Sequence, residues 1–167
     1  MIRAILNSNP YLLQTLFIFS FISLVAWKPV AKKFSWESLP TLAMLISVAG
    51  IFAFTLSPSG DESVRFQTVL RLPSIDELIL LFSSLEGQLN VLLFIPFGFT
   101  SYLATKRFWP SLLVGIILSV TIEFLQAFPV VSRTSIIDDV IANTVGSAIG
   151  LVCAALIIKL NRHFTRL

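Results

Sequence analysis

Glu123, Gln126, Arg133, Asp138, Asp139 and Asn143 fall between positions 123 and 143, at the ends of two strongly apolar segments. An ionisable group at a hydrocarbon boundary is costly unless it is paired, hydrated or turned toward a cavity, so the chemistry of the chain is expected here. A guanidinium meets phosphate through charge-assisted hydrogen bonds, and amides bond sugar or phosphate oxygens. Carboxylates can orient the cation, hold a divalent metal through oxygen, or relay protons. Asn90 belongs with this set once the segments are threaded across a membrane.

The elements that position these groups follow from the composition. The chain of 167 residues is 56% hydrophobic and 13% charged, with a mean hydropathy of +0.89, whereas soluble domains carry about 25% charged residues. An integral membrane protein is expected. The single cysteine, Cys153, lies in an apolar run, which excludes both a disulfide framework and a thiolate metal site within the chain. The net charge of +3 comes largely from Lys and Arg beside apolar segments. There they set orientation, and nucleic acid is not an expected partner.

Five runs, 11 to 27, 39 to 57, 89 to 105, 111 to 128 and 138 to 158, approach the roughly 20 apolar residues a helix needs to cross a bilayer. They are uninterrupted and lack strand alternation, so the predicted fold is all-α, a polytopic transmembrane bundle of about five spans. The first run resembles a signal peptide in position. Its leading region holds only Arg3, no small-residue cleavage pattern follows, and Lys28, Lys32 and Lys33 close it, so it reads as a retained span. A single domain over 1 to 167 is expected.

Lys28, Lys32, Lys33, Lys106, Arg107, Lys159, Arg162 and Arg166 all fall on one side of this threading, against Arg3, Arg65, Arg71 and Arg133 on the other. Basic residues near span ends are retained in the cytoplasm, so the N-terminus is expected outside and the C-terminus inside. Trp27, Trp36, Tyr102 and Trp109 lie near the predicted inner ends, where amphipathic rings favour the headgroup layer. The connection from Ser57 to Gly87 then lies outside. Its second part, from Ser74, offers an N-cap, the acids Asp76 and Glu77, and an apolar run too short to span. An extra outer helix, interfacial or re-entrant, is predicted there.

The same threading gathers Asn90, Glu123, Gln126, Arg133, Asp138, Asp139 and Asn143 at the outer end. Glu123 and Gln126 are three apart, Asp139 and Asn143 four apart, so each pair shares a helix face. A carboxylate facing lipid at a span centre costs about 2.5–3.5 kcal/mol and less near the interface, which favours an inward-facing cluster with Arg133. Gly146 and Gly150 extend the stripe, with Ser147 beside them, as a small-residue surface for a neighbouring helix. Plainer readings stand beside these. Asp138 and Asp139 can simply complement a helix N-terminus, Arg133 can be a loop cation, Pro96 and Gly98 can mark a kink, and His163 can be an interface residue.

Asn90, Leu93-Phe94, Pro96, Phe97-Gly98, Ser119, Glu123, Gln126, Arg133, Asp138-Asp139, Asn143, Gly146 and Gly150 together form an ordered pattern. It resembles that of the VanZ-like membrane proteins over residues 88 to 152, the motif-bearing core. The resemblance implies a multi-pass protein of the bacterial cytoplasmic membrane, in a family whose founding member is associated with resistance to the glycopeptide teicoplanin. Members are widespread where no antibiotic role is evident, so an effect on glycopeptide susceptibility is an expectation of the family rather than of this chain.

The leading expectation is an outer-facing pocket for the headgroup of an envelope lipid or a lipid-linked cell-wall intermediate. Arg133 would meet phosphate; Asn90, Gln126 and Asn143 would meet sugar or phosphate oxygens. No cofactor is expected. The alternatives are an enzyme using Glu123 or Asp139 as base, or a divalent cation on Glu123, Asp138 and Asp139, and a proton-coupled carrier of polyprenyl-phosphate lipids. The carrier would need a homo-oligomer, because five spans without a repeat do not build alternating access alone. A structural scaffold, in which the cluster is an interhelical clamp, is the remaining reading.

Overall fold

The computed structural model describes residues 11–56, 73–126 and 137–164. They form six helices and, among the described residues, no strand: α1 (Leu12–Phe34), α2 (Ser38–Leu56), α3 (Ile75–Ser83), α4 (Leu85–Thr105), α5 (Phe108–Gln126) and α6 (Ile137–Phe164). All but α3 are long and apolar enough to cross a membrane, and the chain is a multi-pass membrane protein.

The helix ends explain why the spans differ from the apolar runs. Helix α1 continues past Lys28 and Pro29 to Phe34, with Lys32 and Lys33 in its last turn, where cations complement the terminus and long stems carry the charge toward water. It stops where Ser35 takes a left-handed conformation, φ 54°; Lys106, φ 56°, stops α4 in the same way. Helix α6 likewise extends to Phe164 through Arg162 and His163. Pro40 and Pro110 sit in the first turns of α2 and α5, where the missing N–H has no intrahelical acceptor in any case. Pro96 does not divide α4, which runs continuously through it.

The short extra helix expected after Ser74 is present as α3, nine residues long. Ser74 and Glu77 form a capping box: the Ser74 backbone donates to Glu77 Oε2 at 2.7 Å and the Glu77 backbone donates to Ser74 Oγ at 3.4 Å. Ser84 then ends α3 and caps α4, accepting from the Gly87 backbone at 3.0 Å. This corner requires glycine, since a Cβ on Gly87 would collide with the Leu81 carbonyl. None of the residues of α3 is buried, and Ile75, Ile79 and Leu80 are well exposed, an apolar face suited to the headgroup boundary.

Met44, Ile51, Phe94, Phe97 and Ile122 from α2, α4 and α5 make the buried apolar cluster. In a bilayer such packing stabilises through dispersion and close fit, because lipid tails are as apolar as the side chains. The most extensive pair among the described helices is α4 with α6, while α1 packs on α2. Gly98 of α4 lies against the Ser147 carbonyl, Gly146 against the Val91 carbonyl and Gly150 against the Ile95 carbonyl; a Cβ at any of the three would strike backbone. The backbones of α4 and α6 are therefore in contact and run parallel.

Candidate functional site

The helix contacts bring two chemically different ends into being. At one, Glu37 N donates to Ala104 O at 3.0 Å, and Thr105 and Ser111 share a hydroxyl contact of 2.7 Å. Lys28, Lys32, Lys33, Lys106, Arg107, Lys159 and Arg162 lie near this end. At the other, where α4 and α6 begin and α2 and α5 finish, lie Asn90, Glu123, Gln126, Asp138, Asp139 and Asn143. Arg133 is outside the described residues, as are the neighbouring Ser132, Thr134 and Ser135 and residues 57–62 of the connection that follows α2.

Each placed side chain answers a particular packing demand. Asn90 on α4 donates its Nδ2 to Asp139 Oδ1 at 2.7 Å, joining the second turn of α4 to the first turn of α6. Asn143, one turn further along α6 and 2% exposed, donates to Ser119 Oγ of α5 at 3.0 Å. Gln126 Nε2 donates to the Thr55 carbonyl at 3.0 Å, supplying a donor to one of the last carbonyls of α2, which has no intrahelical partner. Glu123 is 6% exposed and engaged within the protein. Asp138 is half-buried beside Asp139 in the first turn of α6, where its charge complements the helix terminus.

The stripe on α5 is longer than its acid and amide. Ser111, Gly115, Ser119, Glu123 and Gln126 are all buried, at spacings of four, four, four and three, so one face of α5 is polar or small from end to end. Ser119, Gly115 and Thr55 contribute beyond the binding residues expected from the sequence. The four-residue recurrence of serine and glycine ahead of Glu123 is the signal that marks the first two. Nothing in the sequence marks Thr55, which contributes through its carbonyl.

Among the described residues, no three His, Cys, Asp or Glu side chains are grouped so as to hold a metal ion. The arrangement offers carboxylate and amide groups on three helices meeting at one membrane-proximal end. These can accept hydrogen bonds from hydroxyl or amine groups and, through the amides, donate to phosphate or sugar oxygens.

No curated protein and no solved structure matches the chain. The family model described as VanZ/LLP1 matches residues 11–158, from the start of α1 to the last turns of α6. That span includes both the polar end and the α4–α6 contact, and it extends the resemblance beyond the motif-bearing core to the first two spans. The chain therefore belongs to the VanZ/LLP1 family.

Proposed function

We propose that the polar end of α4, α5 and α6 binds the headgroup of an envelope lipid or a lipid-linked cell-wall intermediate, reached from within the membrane. The observation that carries this reading is the convergence of Asn90, Asp139, buried Glu123 and buried Asn143 on three helices at one end. A polar cluster at a bilayer boundary is accommodated where its members are paired, hydrated or turned to a cavity, and is by default a candidate functional site. The described part of the site is acidic, with Glu86 also in the first turn of α4, so it favours a headgroup that presents amine or hydroxyl donors. Arg133, assigned to the same end by the threading, supplies the cation for phosphate.

The polar end faces outward in this proposal, with the basic end in the cytoplasm, the arrangement the bias of Lys and Arg supports. The membrane is the bacterial cytoplasmic membrane. A pocket that sequesters or presents a cell-wall lipid at the outer surface would alter how much of it glycopeptides reach, which links the site to glycopeptide susceptibility.

Native mass spectrometry of gently purified protein tests the site directly, comparing wild type with Glu123→Gln and Arg133→Ala. Retention of a defined phospholipid or polyprenyl-phosphate species by wild type, lost from both folded variants, is the expected result. Identical unspecific lipid on all three would leave the cluster as an interhelical clamp.

A further inference from the structure

Many hydroxyls within the spans of this protein settle on the carbonyl one turn back. Thr15, Ser23, Thr41, Thr55, Thr100 and Thr121 each donate to the carbonyl four residues earlier at 2.7–2.8 Å. This is the usual way for a hydroxyl to be satisfied inside a helix. Ser147 departs from it. The residue is 0% exposed, yet its Oγ has no hydrogen-bond partner among the described residues.

One turn earlier on the same face of α6, the Oδ1 of Asn143 is also buried and has no partner among the described residues, although its Nδ2 is committed to Ser119. Across the interface from Ser147 stands Gly115 of α5. The position a Cβ would take there is 2.8 Å from Ser147 Oγ and 3.3 Å from Phe97 Cε1. The hydroxyl thus lies beside a bare α-carbon that offers no hydrogen-bonding group.

Two buried oxygens four residues apart share a helix face, with Cβ atoms about 5–6 Å apart. Two hydrogen bonds of about 2.8 Å let a single molecule bridge oxygens up to about 5.6 Å apart. Both oxygens are uncharged, and the nearest carboxylate on their own face, Asp139, is engaged with Asn90. A cation at this depth would need a charge to offset its desolvation, whereas water brings two donors and no charge.

We propose that Asn143 Oδ1 and Ser147 Oγ bind one water molecule between α5 and α6. The polar line that starts at Asn90–Asp139 and continues through Asn143–Ser119 then reaches one turn deeper into the bundle. This site shares Asn143 with the proposed headgroup pocket, but it does not rest on that reading and is read out by folding stability rather than by retained lipid.

A double-mutant cycle on Asn143→Ala and Ser147→Ala, followed by thermal unfolding of the full chain in detergent, tests it. Removing a hydroxyl that bonds nothing should leave the midpoint unchanged or raise it, whereas removing one that holds a water should lower it by about 2–4 °C. The water site predicts a lowered midpoint for Ser147→Ala and a double variant less destabilised than the sum of the two singles. An unchanged or raised midpoint overturns the proposal. So does strict additivity, which would mean that Ser147 has rotated onto its own backbone. If Asn143→Ala does not fold, Asn143→Ser takes its place, keeping a hydroxyl but lacking the long amide. A midpoint that rises in sodium chloride relative to choline chloride, and falls back in Ser147→Ala, would assign the site to a cation and also overturn it.

Discussion

Gly150→Ala should destabilise the bundle, and Gly50→Ala provides a matched control within the same molecule. A Cβ on Gly150 would collide with the Ile95 carbonyl, with Phe99 N at 2.6 Å and the Gly98 carbonyl carbon at 3.1 Å, whereas a Cβ on Gly50 meets nothing within 4 Å. Both substitutions gain the same helix propensity, about 1 kcal/mol at most, so their difference isolates the steric effect. The obstructing atoms are backbone and cannot turn aside, so α4 and α6 must separate along their tightest contact. Overpacking of this kind costs about 1–3 kcal/mol, and rigid neighbours place Gly150→Ala in the upper half of that range. For a chain of this length about 2–3 kcal/mol corresponds to a midpoint some 4–12 °C lower. Thermal unfolding of both variants in one detergent, followed by circular dichroism, measures the gap. A Gly150→Ala variant as stable as Gly50→Ala would refute the backbone contact between α4 and α6 and the inward direction of the whole stripe.

Ser119→Ala removes the acceptor of Asn143 Nδ2 and should cost about 1–3 kcal/mol because a buried donor is left unmet; equal stability in chemical unfolding would argue against that bond. Ser74→Ala breaks the capping box of α3 at about 0.5–2 kcal/mol, and since α3 buries none of its residues, hydrogen exchange should accelerate there while α4 and α6 stay protected. Orientation is checked by placing cysteine at Ile79 or at Lys106 in a Cys153→Ser background. An impermeant thiol reagent applied to intact cells should label the first and spare the second, and the reverse pattern would invert the assignment.

The spans were legible because hydropathy and length are nearly sufficient in a bilayer: a continuous apolar run has no alternative to a helix once backbone groups must be satisfied internally. The short helix α3 was legible from Ser74 and its acids, since a capping box is a local device. Helix ends were less so. The extensions of α1 through Lys32 and of α6 through Arg162 continue into the headgroup layer, where charge no longer opposes helix. In the candidate site, shared faces such as Asp139 with Asn143 follow from spacing alone. Which partner each meets does not: that Asn90 finds Asp139 while Asn143 finds Ser119 depends on how far α4, α5 and α6 slide along one another, and that is set by glycine contacts between helices.

The contact between α4 and α6 also dictates an order of events during synthesis. Helix α5 separates the partners in sequence, so α4 enters the membrane well before the surface it fits has been made. At about 5–20 residues per second, the stretch from Thr105 to Phe164 takes roughly 3–12 s to translate. Throughout that interval Gly98 and its neighbours face lipid or the insertion machinery, and the parallel seam closes only when α6 arrives. A nascent chain halted after α5 would hold most of its apolar mass in the bilayer yet lack the joint that gives the bundle its shape, and would be a natural substrate for membrane proteases.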